Sequence, residues 1–261
     1  MTKLRCMRVA LIAVAPGLFY TVSGCGPKPH DADVPYAALL RSFAGQPGLE
    51  LAIGSGTPPE LKAPGPGSGP WNSERPSFEN RLLAGFLPDF LRTSVAREQW
   101  GKEAADSFSH YFDNNGTDFT IEPSRLFGEV PKAAAIHAEA RRSVLALMEL
   151  MRADLKAGDY RFASLAAGAS VVSKAESNNW YLAVAAYSWF VTGEATVTES
   201  GDVHGSWSWH LWDRYDWDPG VSVPVDTPLG TIRIDQDRVA QFHRQGLARE
   251  FTTVGSITET F

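Results

Sequence analysis

Residues 207–217 read W-S-W-H-L-W-D-R-Y-D-W, and the fold class turns on them. Four tryptophans spaced among polar residues describe a strand packed into a sheet, because wide rings suit a pleated, half-buried surface. Upstream, residues 180–199 (W-Y-L-A-V-A-A-Y-S-W-F-V-T-G-E-A-T-V-T-E) begin as an apolar run and end in alternation. Ser200-Gly201-Asp202 is a turn, so the two stretches are expected to pair as an antiparallel hairpin.

Working outward, residues 118–122, 230–234 and 250–260 are further strand candidates. The earlier half of the chain is helical in pattern. Residues 78–108 carry Leu82, Leu83 and Phe86, are interrupted by Pro88, and resume with Phe90, Leu91 and Val95. Residues 131–157 form the clearest helix: Pro131 suits a first turn, and Ile136, Val144, Leu147, Met151 and Leu155 form one apolar stripe that reads as core. Helices followed by strands imply an α+β fold with an antiparallel sheet. The folded domain is expected over residues 77–261.

Residues 25–76 read as a Pro/Gly-rich linker, densest at 54–70 (G-S-G-T-P-P-E-L-K-A-P-G-P-G-S-G-P), with a short helix near 36–43. A coil of about 50 residues reaches roughly 40 Å on average. Before it, Lys3, Arg5 and Arg8 precede an uncharged run from Val9 to Gly24 that is too short for a membrane-spanning helix. The run closes on Val22-Ser23-Gly24-Cys25, which resembles the lipobox of a bacterial lipoprotein. Residues 1–24 are therefore expected to be a signal peptide and Cys25 the lipidated residue, anchoring the protein to a membrane. Gly26 in place of the aspartate that retains lipoproteins at the inner membrane points to the outer membrane, facing the periplasm. Cys6 lies within the removed segment, so no disulfide and no cysteine-based metal site is expected. A net charge of −6 without a basic cluster argues against a nucleic-acid partner.

Chemistry concentrates at the end of the tryptophan-rich strand. Asp213, Arg214, Tyr215 and Asp216 are consecutive. Two aspartates three apart can share a divalent cation, or hold one proton between them and act as acid and base. A solvated strand end with a local Arg–Asp pair is the plainer reading. His243-Arg244 adds a proton-transfer group and a planar fork for phosphate. Together these are the groups that cleavage of a phosphate ester or pyrophosphate requires. His110 sits beside aromatics and reads as structural.

The order of these segments resembles colicin M. His110–Gly116 followed by Thr120-Ile121, the stretch from Tyr187 through Gly193 to Thr198 with its Gly201 turn, Asp213-x-Tyr215-Asp216, and the terminal E-F-T-T-V-G-S-I at 250–257 occur in that family's order. The resemblance covers roughly residues 108–257, the activity domain alone. It implies a half-open antiparallel β-barrel with helices packed around it. It also implies a magnesium-dependent phosphodiesterase that cleaves lipid II between undecaprenol and pyrophosphate, with bacteriocin-like toxin activity as one use.

The family's signature is D-x-Y-D followed about five residues later by His-Arg. Asp213, Tyr215 and Asp216 match the first half; no His-Arg stands at the expected distance, and His243-Arg244 is displaced by an insertion over 221–238. Either the insertion loops out and delivers the pair to the same site, or the histidine role is vacant. On the first outcome, Asp213 and Asp216 bind magnesium or supply the base, and Tyr215 positions the phosphate. His243 is then the general acid/base, and Arg244 holds the pyrophosphate. The alternative is a non-catalytic envelope lipoprotein of the same fold that binds a cell-wall ligand or a protein.

Overall fold

The structure is a computed structural model that describes residues 36–39, 49–54, 56–63, 65–217, 222–227 and 230–261. The expected signal segment 1–24 and Cys25 lie outside the described residues.

The chain is α+β. Strands β1 (Tyr36–Leu39) and β2 (Glu50–Ile53) come first, where composition predicts linker and a short helix. Leu51 and Ile53 are buried in the main core and β2 pairs with a later strand, so two stretches read as linker, 49–54 and 65–76, are built into the fold. Tertiary pairing overrides a weak local signal there.

Three helices follow. α1 (Phe78–Leu91) starts at Ser77, whose hydroxyl accepts the Asn80 N–H, and runs through Pro88 without breaking. The break falls instead at Thr93, which caps α2 (Ser94–Trp100) by accepting from the Ala96 N–H. Leu82 and Phe86 face outward on α1 while Leu91 is buried. α3 (Lys102–Phe112) follows Gly101, a left-handed residue whose absent Cβ would sit 2.2 Å from the Asn179 side chain.

Strand β3 (Phe119–Thr120), helices α4 (Pro123–Glu129) and α5 (Pro131–Asp154), and strands β4 (Gly158–Ser164) and β5 (Gly168–Val171) come next. α6 (Asn178–Val184) then replaces the first third of the expected long strand. Ser177 caps it by accepting from the Trp180 N–H, and Asn179 ties it to α3 by accepting from the Ala104 N–H. The hairpin itself is β6 (Ala186–Val197) and β7 (Val203–Tyr215), in register from Val197↔Val203 to Ser188↔Trp212. The expected insertion is a separate two-stranded ribbon, β8 (Ser222–Thr227) with β9 (Gly230–Asp235). It leads into α7 (Gln236–Arg244) and the closing strand β10 (Phe251–Thr260).

The main sheet has eight strands in the order β1-β2-β4-β6-β7-β10-β3, with β5 extending the β4 side of β6. All its pairings are antiparallel except β10 with β3. Among the described residues the two ends of this order do not pair, so the sheet is open and not closed into a barrel.

Two apolar clusters flank β7. One packs α4, α5 and α6 on the sheet around Trp180, Trp209 and Leu211. The other joins α1, α2, α3 and α7 to Tyr215, Trp217 and Phe251. Alternation along β7 buries Trp207, Trp209, Leu211, Asp213 and Tyr215 on one face. Asp213 therefore stands at the seam, between the last β7 residue of one core and the first of the other.

Gly193 in β6 lies under the Phe162 ring of β4, and a Cβ there would meet Phe162 Cζ at 2.2 Å. Gly193→Ala is expected to cost about 1–3 kcal/mol by overpacking, read as a lowered thermal midpoint. An unchanged midpoint would show that the ring moves aside freely.

Candidate active site

The end of β7 opens onto a cleft of about 170 Å³, walled by residues 181–186 of α6 and its exit, by residues 213–217, and by Gln236 at the start of α7. Ala185, which ends α6 here, has φ 30°, a left-handed value that an alanine adopts only under strain. A larger recess of about 550 Å³ lies at the other end of the hairpin, against Asp159, Glu194 and His204. It is nine strand residues from Asp213, roughly 30 Å away, and shares none of these groups.

Asp213 is buried. Loss of water pushes its carboxyl well above the ordinary carboxylate range, and the charge of Asp216 adds to the push. Tyr215, also buried, is raised in the same way by desolvation and then by Asp213, so it stays a neutral phenol. Asp216 has Arg214 Nε 3.8 Å from Oδ2. The pair thus divides into one buried carboxyl with a raised proton affinity and one carboxyl beside a guanidinium. Opposite Asp213 in register is Thr253, whose fully buried Oγ1 has no hydrogen-bond partner among the described residues.

The structure adds a third carboxylate that the motif reading missed. Glu250 has a side chain only 3% exposed and accepts from Arg214 Nη2 at 2.8 Å. Its signal was the β7–β10 register: Tyr215 faces Phe251, so the residues beyond them, Asp216 and Glu250, are brought side by side at the strand ends.

His243 and Arg244 reach the same corner. The ribbon β8–β9 turns the chain back, and α7 is pinned by Tyr111, whose hydroxyl donates to the Val239 carbonyl at 2.9 Å. The Glu250 N–H donates to His243 Nδ1 at 3.1 Å, and the other ring nitrogen, Nε2, lies 3.0 Å from the Gly69 carbonyl. An amide N–H can only donate and a carbonyl only accept, so the imidazole is neutral with its proton on Nε2. Burial lowers the histidine's proton affinity in the same sense. Arg244 binds the Glu74 carboxylate through Nε and the Ser68 carbonyl through Nη1. Of the five residues singled out in the sequence, Asp213, Tyr215 and Asp216 line the cleft, while His243 and Arg244 lie behind it, joined to Glu250 and Asp216 through residues 67–69 and with His243 engaged at both nitrogens. His110 is structural: its Nε2 lies 2.8 Å from the Thr117 carbonyl, and its ring packs on Phe119 and Phe251.

Asp213, Asp216 and the stranded Thr253 hydroxyl are hard oxygen donors, the type magnesium takes. Among the described residues no group of three or more His, Cys, Asp or Glu side chains is arranged to hold a metal ion. A magnesium ion would therefore draw two carboxylates from the protein and the rest of its shell from water and phosphate oxygens, which is its ordinary habit.

No family model, curated protein or solved structure matches this chain.

A carboxyl that keeps its proton in the fold but ionises when unfolded makes the native state bind more protons. Stability then falls as pH rises from the ordinary carboxylate range toward the raised folded value. Relative to Asp213→Asn, the wild type is expected to lose thermal stability steadily from about pH 4 upward. Parallel profiles for the two proteins would refute the raised Asp213.

Proposed function

We propose that the protein is a lipid-anchored, periplasm-facing phosphodiesterase acting on lipid II or a related undecaprenyl-pyrophosphate precursor. The observation that carries this reading is the split carboxyl pair at the end of β7. Asp213 is buried with its proton affinity raised and Asp216 lies beside Arg214, both line one cleft, and an arginine-rich corner adjoins them. The resemblance of Asp213-x-Tyr215-Asp216 and of the flanking strands to colicin M supplies the substrate class and the expectation of a colicin M-like half-open sheet.

In this reading Asp216 accepts a proton from the water that attacks phosphorus. Asp213 gives its proton to the departing polyprenol oxygen, and the proton taken up by Asp216 returns to Asp213 through solvent before the next turnover. Tyr215, a neutral phenol at the cleft floor, donates a hydrogen bond to a phosphate oxygen. Arg214 and Arg244 balance the charge of the pyrophosphate. Were Asp213 and Asp216 instead to hold a magnesium ion, both would be ionised, and the metal would take over from the acid and base roles by neutralising the phosphate oxygens together with Arg214 and Arg244. His243 acts as a positioning residue while both of its nitrogens are engaged.

That engagement also favours a second reading, a non-catalytic envelope lipoprotein that binds a cell-wall ligand or partner. A residue meant for proton transfer is here a structural link, and Arg244 already holds a carboxylate.

The signal-less domain, given lipid II and magnesium, is expected to release undecaprenol. Asp216→Ala is expected to lower the rate at least about a hundredfold, the usual weight of a general base. No release by the wild type, or equal release by the variant, would turn the assignment to the binding module.

A further inference from the structure

Residues 65–76 lie across the His243–Arg244 corner as a strap. Gly67 sits so close over the carboxylates that a Cβ would come within 3.1 Å of Glu250 Oε2 and 3.4 Å of Asp216 Oδ2. The Ser68 N–H donates to Glu250 Oε1 at 2.6 Å, and the Ser68 carbonyl accepts from Arg244 Nη1 at 3.1 Å. The Gly69 carbonyl accepts from His243 Nε2. Farther along, the N–H groups of Asn72 and Glu74 donate to the carbonyls of His243 and Arg244 at 3.2 and 2.8 Å. The Glu74 carboxylate closes the set by accepting from Arg244 Nε.

These contacts have two properties in common. They are polar, since the buried residues of the strap are Gly67 and Ser68 and residues 71–75 are exposed. And they use the groups that a phosphate would need, the Arg244 fork and the His243 Nε2 proton. A segment that buries little apolar surface belongs to the part of a fold that opens most readily. Its backbone is held in left-handed conformations at Gly67, Gly69 and Asn72, with φ of 67°, 92° and 55°. Those angles are kept only while the bonds beneath them last.

We infer that the strap is an autoinhibitory cover, with the Glu74 carboxylate occupying on Arg244 the place of an anionic phosphate group of the ligand. This deepens the proposed function and rests on reading the corner as a phosphate site. Lifting the strap frees the Arg244 guanidinium and His243 Nε2 and uncovers Glu250 beside Asp216. A pyrophosphate group competes with Glu74 for the same guanidinium, so ligand binding and strap opening are one equilibrium. The observed affinity is the intrinsic affinity reduced by the fraction of molecules that are open.

Two variants weaken the strap without altering the groups it covers. Gly67→Ala places a methyl against two carboxylates at a left-handed position. Glu74→Gln removes only the competing charge from an exposed side chain, so it keeps the test alive if the first variant disturbs folding. The signal-less domain and both variants are titrated with inorganic pyrophosphate by calorimetry, and amide hydrogen exchange is followed at residues 67–74. Faster exchange in the variants and an affinity for pyrophosphate raised about tenfold or more are expected, with Arg244→Ala abolishing the gain. Equal affinity in wild type and both variants overturns the inference, whatever the exchange rates do. A raised affinity with no release of undecaprenol from lipid II by any form leaves the strap standing and removes the phosphodiesterase reading alone.

Discussion

Two carboxyl groups drawn to one guanidinium, with a third buried on the other face of the strand, hold this molecule's corner together. Arg214 binds Glu250 directly and lies beside Asp216, while Asp213 is left in the apolar seam, where burial raises its proton affinity. The exposed Arg214 guanidinium serves Glu250 and Asp216, whereas Asp213, on the buried face, has only the Arg214 backbone N–H to favour its charged form. That arrangement places two carboxyl groups in different surroundings at the same strand end. It follows from β7 passing from one apolar cluster to the other, with Leu211 in the first and Tyr215 in the second. Had a single continuous core covered β7, position 213 would be an interior carboxyl with no cleft to face.

The elements around the corner serve its geometry. α6 supplies the opposite wall and is fixed through Asn179 to the start of α3. α7 brings His243 and Arg244 in from the far side, and its placement depends on a buried tyrosine hydroxyl and on the β8–β9 ribbon that reverses the chain. β10 contributes Glu250 because it pairs with β7 in a register that aligns Phe251 with Tyr215. Residues distant in sequence thus meet through backbone pairing more than through side-chain contacts.

Much of this was legible in the residue order. The tryptophan alternation in 207–215 gave the hairpin and, carried two steps further, puts Asp213 and Tyr215 on the buried face. The α5 stripe, the short β3 and the closing strand also followed from periodicity. Residues 180–184 did not, because an apolar run is the same in a buried strand and a buried helix, and the Ser177 cap decides between them. Composition hid β2 and the strap, since glycine and proline signal the absence of regular structure and say nothing of polar docking onto a distant site. Glu250 was hidden for a related reason: only the strand register reveals its neighbours. The expectation of a half-open barrel met an open sheet whose two end strands stay apart among the described residues.

β2 lies upstream of the strap in the chain and is locked into the sheet by its ladder with β4, with Leu51 wholly buried. Tension on the chain ahead of Glu50 therefore meets that ladder before it reaches residues 65–76. The β2–β4 ladder thus stands between the strap and the chain ahead of it. A tug from that side leaves the cover in place, and the work of uncovering the corner must be supplied by what arrives at the corner itself.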